Sequence, residues 1–357
     1  MINSNSIIEI NKKNLLYNYR KLSKIANKSI TAATIKANAY GLGDREVFKI
    51  LYNEGCYNFF LATYEEAINI RKVNKKVNLY VLNGLDNNKL NLFYKNNLIP
   101  ILNTKEEFNI LLKSKYIKNK FKFGIHIETG LNRLGINIEE IKNKLNKLEN
   151  LHILISHLSS PDELKNQYTH LQNLNFIKSF NYFKNIKFKS LCSSSAIINN
   201  KDLHHDMVRP GISLYGGFNK KLFNNKSKVR PVITLKGKIL QIKKICKNRY
   251  IGYNQTYKTI KNIKVAIIGI GYADGVSRSL SNKGKLFYKN DSYNIVGRVS
   301  MDSITVDITN SKYRMKIGQY MDVINRRHTI EDMAKNCGTI SNEILTSISK
   351  RVKRVYI

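Results

Sequence analysis

Over roughly the first 220 residues, short β-branched runs alternate about eight times with stretches at helical spacing, and this alternation narrows the fold more than any other property of the chain. After a strand near Ile7–Ile10, Leu15, Tyr19, Leu22 and Ile25 mark one helix face, and Ser29–Ile35 follows as a strand. Asp44 is placed to cap a helix reaching Leu51. Phe59–Ala62 is again strand-like, and Thr63-Tyr-Glu-Glu66 reads as a capping box opening the next helix. The cycle repeats through Leu79–Leu82, Leu98–Leu102, Gly124–Glu128, Leu151–Ser156, Phe188–Leu191 and Met207–Arg209, with a second capping box at Thr104-Lys-Glu-Glu107. Parallel strands joined by helices predict an α/β fold, a (β/α)8 TIM-type barrel, over residues 1–222. A doubly wound sheet is the alternative. Its dinucleotide fingerprint is missing, because Gly269-Ile-Gly271-Tyr-Ala-Asp274-Gly275 has Asp274 where the third glycine belongs.

From about Lys226 the pattern changes to β-branched runs separated by turns: Val232–Ile242, Val265–Ile270, Tyr293–Val299, Ile304–Ile308 and Met321–Ile324. One helix intervenes at Thr329–Asn336, capped by Thr329 with Asp332 in its first turn. These runs predict a mostly-β domain over residues 223–357, with which the strand near 7–10 can pack, joined to the barrel through Asn219–Lys228.

Charge bears on partners. Lys+Arg number 61 against 25 Asp+Glu, a net charge of +36 that raises nucleic acid as a partner. Lysine is spread through nearly every segment without a basic tail or arginine-rich tract, so no nucleic-acid site is expected, whereas an anionic substrate or cofactor is favoured. The chain's start lacks a basic region followed by an apolar core, and no apolar run approaches membrane-spanning length. A cytoplasmic location without a membrane partner is the expectation. Cys56, Cys192, Cys246 and Cys337 lack C-x-x-C spacing and are expected to be free thiols, with no metal site.

Lys36 is the candidate for chemistry. It leaves the apolar run Ile30–Ile35 and enters a glycine-punctuated loop, and desolvation at such a place lowers an ammonium pKa until the amine can condense with an aldehyde. A strand-end lysine is by itself more often a solvated side chain. The segment Lys36-Ala-Asn-Ala-Tyr40-Gly41, however, resembles the cofactor-lysine motif of bacterial alanine racemases, fold type III enzymes dependent on pyridoxal 5′-phosphate (PLP). Leu42 stands where a histidine is usual. The resemblance continues in order through Arg133-Leu-Gly135, Ser156-His157, Ser193-Ser194-Ser195-Ala196 and Asp206-Met-Val-Arg209-Pro-Gly211-Ile212-Ser-Leu-Tyr215-Gly216. It extends to Gly252-Tyr253-Asn254-Gln-Thr-Tyr257, Gly271-Tyr272-Ala-Asp274-Gly275, Gly297-Arg298-Val-Ser300-Met301-Asp302 and the terminal Arg351-Val-Lys-Arg354-Val-Tyr356.

What the resemblance implies is specific. Lys36 would bind PLP covalently and act as one base, with Tyr253 of the partner subunit acting on the opposite face of a planar carbanion. Arg133 would hold the PLP phenolic oxygen and the substrate carboxylate, and His157 would pack on the ring. Ser194 and the backbone N–H groups of Gly211 and Ile212, with Tyr40, would grip the phosphate. Arg209 would face the pyridine nitrogen, and His157 with Arg209 would tune Tyr253. Met301, Tyr272 and Asp302 would line the substrate side. The implied activity is interconversion of L- and D-alanine for peptidoglycan by a homodimer with shared sites. Departures are His126, where many relatives carry a carbamylated lysine, Asn254 for a glycine, and Asn342 for a tyrosine at the entrance. Rival readings are a racemase of serine or larger amino acids, a non-catalytic PLP-binding protein, and a nucleic-acid-binding protein.

Overall fold

A computed structural model of the chain describes residues 4–119, 121–148, 151–163, 166–218 and 229–357. The expected linker Asn219–Lys228, and with it the boundary at 222/223, lies outside the described residues. Strand β1 (Ser6–Ile10) and helix α1 (Lys12–Ala26) come first, with the Asn11 side chain accepting from Asn14 N–H as the helix cap.

The barrel strands are β2 (Ile30–Thr31), β3 (Ala33–Thr34), β4 (Asn58–Leu61), β5 (Asn78–Val81), β6 (Ile99–Leu102), β7 (Gly124–His126), β8 (Leu151–Ile155), β9 (Ile186–Ser190) and β10 (Met207–Val208). The expected strand Ser29–Ile35 is thus divided at Ala32. Strands β3 to β9 pair in parallel in sequence order. Closure comes from β10: Met207 lies opposite Ile30 of β2, while Arg209 N–H donates to Cys192 O at 2.9 Å just beyond β9. Ala32, Phe60, Tyr80, Ile99, Ile101, Ile153, Ile155 and Met207 fill the interior, and alternate residues such as Phe59, Leu79 and Ile125 pack outward under the helices. Each large interior side chain contributes roughly 2–3 kcal/mol by burial, which holds the strand ends that carry the site.

Two capping expectations need correcting. Thr104 and Glu107 form the full reciprocal box, but at Thr63 only half is made. Thr63 Oγ1 accepts from Glu66 N–H, whereas the Glu66 carboxylate takes Ala62 N–H and Ala37 N–H, each at 2.7 Å. A neighbouring loop outcompetes the cap. Asp44 is the first helical residue, not the cap; Gly43 precedes the helix Asp44–Asn53.

In the second domain, β11 (Ile233–Ile245) is central. It is followed by β12 (Tyr250–Ile251), β13 (Tyr257–Lys258), β14 (Ile263–Gly269), β15 (Lys285–Tyr288), β16 (Asp291–Asn294), β17 (Ile304–Asp307), β18 (Tyr320–Ile324) and β19 (Lys353–Tyr356). The sheet runs β16-β15-β18-β11-β1-β19, with β14 and β17 attached through β11. β1 therefore belongs to this sheet, antiparallel to β11 and parallel to β19. The run Tyr293–Val299 stops as a strand at Asn294, because Gly297 turns the chain at φ 80° and lies too near Ile251 O, 2.7 Å from where a Cβ would sit, for any other residue. The helix Ile330–Cys337 starts after Thr329 with Asp332 in its first turn, as expected, and Thr329 N–H and O–H both donate to Asp332 Oδ2, at 3.0 and 2.9 Å. None of the four cysteines is in a disulfide. Among the described residues no helix is long and apolar enough to cross a membrane, and no group of three metal-binding side chains occurs.

Candidate active site

Lys36 follows β3 at the C-terminal end of the barrel, where such barrels present loops to ligands. The four residues after it, Ala37, Asn38, Ala39 and Tyr40, all have φ between 51° and 56°. A left-handed turn of non-glycine residues costs roughly 1–2 kcal/mol per residue, so it persists only where its surroundings impose it. Those surroundings are visible. Glu66 holds Ala37 N–H, and Arg354 donates to Gly41 O through Nε at 3.1 Å and Nη2 at 2.8 Å. Tyr356 O–H donates to Leu42 O at 2.5 Å. The turn is clamped between a barrel helix and the terminal strand of the β domain, and it holds Lys36 partly buried. Burial, with Arg133 and Arg209 adding to it and Glu66 opposing, lowers the Lys36 pKa from its ordinary value.

Lys36 opens into a cavity of about 510 Å³ whose wall includes Tyr40, His126, Arg133, His157, Ser194, Arg209, Gly211, Ile212 and Asn342. Arg209 is buried. Its Nη1 donates to Ser190 O and Oγ at 2.7 and 2.6 Å, and its Nη2 to Ser156 O at 2.6 Å. Burial brings it down to about 10, still protonated at neutral pH, and among the described residues no hydrogen bond uses its Nε–H. His157 is pushed down to about 3 by burial and by Arg209 and Arg133, so its imidazole is neutral. His126 is likewise held at about 4, by burial first and then Arg209. Ser194 Oγ accepts from Gly211 N–H at 2.9 Å and Ser213 N–H at 3.2 Å, which leaves the hydroxyl proton to donate elsewhere. The Gly211 N–H is thereby engaged inside the protein. A Cβ on Gly211 would sit 2.3 Å from the Tyr40 hydroxyl, whose pKa burial raises to about 12. The Tyr40 ring rests on Tyr215, centroids 4.8 Å apart.

The residues expected on the other side of the reaction stand elsewhere. Tyr253, Tyr272 and Met301 are 66%, 43% and 52% exposed and are absent from the wall of their own chain's cavity. Asp302 is also outside it, with Oδ1 accepting from Arg351 Nη2 at 2.7 Å. Arg351 also clamps the buried Asp274 through two bonds of 2.9 and 3.0 Å, and Asp274 in turn accepts from Gly271 N–H at 2.8 Å. Tyr272 N–H and Ala273 N–H donate to Ser300 O and Met301 O, so the two loops form one braced unit. Glu66 and Asn103 are site-shaping residues that the motifs did not reveal, and Arg354 and Tyr356 stood in the terminal motif without an assigned role. The nearest signal was the glutamate three residues after Thr63, read as a cap.

A slightly larger groove, about 570 Å³, lies along the β sheet, but Lys236 there is already paired with Glu9 at 2.7 Å. The smaller cavity is the candidate site, and its residues fit PLP. Two arginines, Arg133 and Arg209, flank a nucleophilic amine, a hydroxyl and a side-chain-free glycine leave room and a donor for an anion, and a neutral imidazole offers a flat wall.

The comparisons with known proteins agree. Residues 10–218 match the family model for the alanine racemase N-terminal domain, and residues 232–356 match that for the C-terminal domain. The alanine racemases of Rickettsia africae and Rickettsia conorii are each 38% identical over 359 aligned positions, covering 98% of both chains. Among solved structures, alanine racemase from Bartonella henselae with covalently bound pyridoxal phosphate superimposes with a TM-score of 0.93 at 31% identity, over 99% of this chain and 100% of that one. Alanine racemase from Clostridium difficile gives 0.93 at 30% identity, over 100% and 97%. This chain belongs to the alanine racemase family.

Proposed function

We propose that the protein interconverts L- and D-alanine with PLP, using Lys36 on one face of the substrate and Tyr253 from a second copy on the other, and so supplies D-alanine for peptidoglycan. The observation that carries this reading is Lys36 itself: an amine of lowered pKa, on an enforced left-handed turn, in a cavity walled by Arg133 and Arg209. PLP, when bound, supplies an electron sink that acidifies the Cα–H of an attached amino acid.

The side chains divide the remaining work. Lys36, neutral at a lower pH than an ordinary lysine, can make the covalent attachment and take a Cα proton on its own face. Arg133 offers a fixed-charge fork suited to the phenolic oxygen and the substrate carboxylate. Arg209 keeps its proton at neutral pH and so favours a ring nitrogen without one, which restrains transamination. Ser194 O–H, Ile212 N–H and Tyr40 O–H are the donors suited to a phosphate, with Gly211 giving the space. Tyr253, exposed in one chain, would complete the second face in a homodimer, where Met301 and Tyr272 would border the substrate and Asp302 would act through Arg351.

Asn342, on the cavity wall, keeps serine as a second substrate to be tried. The purified protein should show a visible absorbance band that borohydride removes, with the label on Lys36, and chiral chromatography should show L-alanine racemised faster than L-serine. A label on another lysine, or no racemisation of either amino acid, would overturn the proposal.

A further inference from the structure

The helix Gln167–Ser179 turns two polar side chains inward where apolar ones are usual: Gln172 is fully buried and Asn173 nearly so, while Leu171, Leu174 and Ile177 are exposed. Both buried amides have partners in the barrel. Gln172 Oε1 accepts from Ser159 N–H at 2.9 Å and from the Ser159 hydroxyl at 3.1 Å, and its Nε2 donates to His157 O at 3.2 Å. Asn173 Oδ1 lies 2.9 Å from His205 Nε2. The roll of the helix is therefore set by these amides, against the preference of its own leucines for burial.

The main chain that Gln172 grips begins the loop after β8, and it carries His157 on the cavity wall. A neighbouring strand engages the C=O of one residue and the N–H of the second residue on, and Gln172 takes the same two groups with the acceptor and donor of a single side chain. Leu158, between them, is packed in the core. The imidazole of His157 is neutral, so no ion pair holds it and its place follows from the main chain. The helix can come this close because Gly130 has no side chain: a Cβ there would sit 2.5 Å from the Tyr168 hydroxyl and 3.3 Å from Gln172 Cγ. Tyr168 O–H closes the contact by donating to Gly130 O at 2.8 Å.

We infer that Gln172 is a positioning residue for His157: its side-chain amide holds the main chain on both sides of Leu158 and so fixes where the imidazole stands on the cavity wall. The consequence for catalysis rests on the racemase reading, in which His157 packs on the cofactor ring; the hold itself does not. A glutamine suits the task better than an acid, because an ionised carboxylate would turn a second acceptor towards His157 O and leave that carbonyl without its donor.

Carbon-13 spectra of the purified protein labelled at histidine Cε1 separate this role from general packing, once single substitutions have assigned the ring signals of the seven histidines. Gln172→Leu should move the His157 signal and leave that of His205 in place, since His205 is held by the adjacent Asn173 and reports whether the helix has shifted. An unmoved His157, or His157 and His205 moving together, would overturn the inference. In the racemase assay Gln172→Leu should lower kcat about tenfold while changing KM for alanine less than about threefold. In a His157→Ala background it should add little. Gln172→Glu gives a signature in pH: protonated, its O–H can replace the amide as donor to His157 O, and ionised it cannot. Burial raises such a carboxyl, so the activity of Gln172→Glu relative to wild type should be nearly normal at about pH 6 and fall towards that of Gln172→Leu by about pH 9. A ratio that stays flat with pH, or full additivity with His157→Ala, would contradict the role. A wild type that racemises nothing while its spectra respond as expected would sink the proposed function and leave the positioning intact.

Discussion

Lys36 is partly buried, whereas Tyr253 is largely exposed. Around Lys36 the protein completes the desolvation within one chain: the turn is clamped by Glu66, Arg354 and Tyr356, and the neighbouring histidines are neutral. Around Tyr253 nothing comparable has been done. The ring is 66% exposed on a turn between β12 and β13, where Asn254 (φ 59°) and Gln255 (φ 52°) shape the loop from beneath. The β domain thus braces the cofactor side of its own chain through its terminal strand while presenting its tyrosine outward. That contrast supports the proposal that Tyr253 completes the cavity of a second copy.

The largest expected effect is at the desolvated end. Lys36→Ala should abolish the borohydride-trapped linkage and lower racemisation in both directions by at least about a thousandfold. Activity near wild type would place the base elsewhere. Next is the acid response of the buried histidines. His126 is held at about 4 and His157 at about 3, while both titrate near 6.5 in the unfolded chain. As pH falls below 6.5 the unfolded state takes up protons that the folded state refuses, so stability drops through the window from 6.5 towards 4. His126 alone accounts for roughly 3 kcal/mol of that loss. Thermal melts should show the decline, and His126→Gln should flatten it; a melting point level from pH 7 to 4.5 would mean these rings are not held neutral.

Tyr253→Phe should leave cofactor loading unchanged yet slow turnover about a hundredfold, since the hydroxyl acts only in proton transfer. Lost loading would make Tyr253 a cofactor residue and erase the contrast. The smallest effect belongs to the brace behind Tyr272 and Met301. Arg351→Ala leaves the buried Asp274 carboxylate with Gly271 N–H and Ser6 O–H as donors and should cost about 2 kcal/mol in urea unfolding. A loss below about 0.5 kcal/mol would show that the two loops hold each other without the arginine.

The barrel was legible because strand and helix periods alternate on a short length scale, and the Thr104 box because its partners are three residues apart. What was hidden depends on distance along the chain. Glu66 reads locally as a cap, and its bond to Ala37, 29 residues away, exists only once the barrel closes. In the left-handed run from Ala37 to Tyr40 only Asn38 is of a type that tolerates the conformation, and alanine and tyrosine on either side of it have no preference for it. Asn254 is the opposite case: asparagine tolerates φ near 60°, so its replacement of a glycine keeps the turn. The motifs located Arg133 and His126, but Asn103, whose Oδ1 meets His126 Nδ1 at 2.9 Å, is brought beside the histidine only by the fold. The helix Ser341–Thr346 was missed because six residues are too few for a period to register.

The central claim is that each site joins Lys36 of one chain to Tyr253 of another. Mixing inactive Lys36→Ala and Tyr253→Ala subunits tests it, once mass-tagged native electrophoresis has shown that they exchange. In each hybrid dimer one site would carry both lesions and the other neither. With random exchange about half of the dimers are hybrids with one good site of two, so activity should return to roughly a quarter of wild type in a closed symmetric dimer. Hybrids that form and stay inactive would mean that the site is built within a single chain.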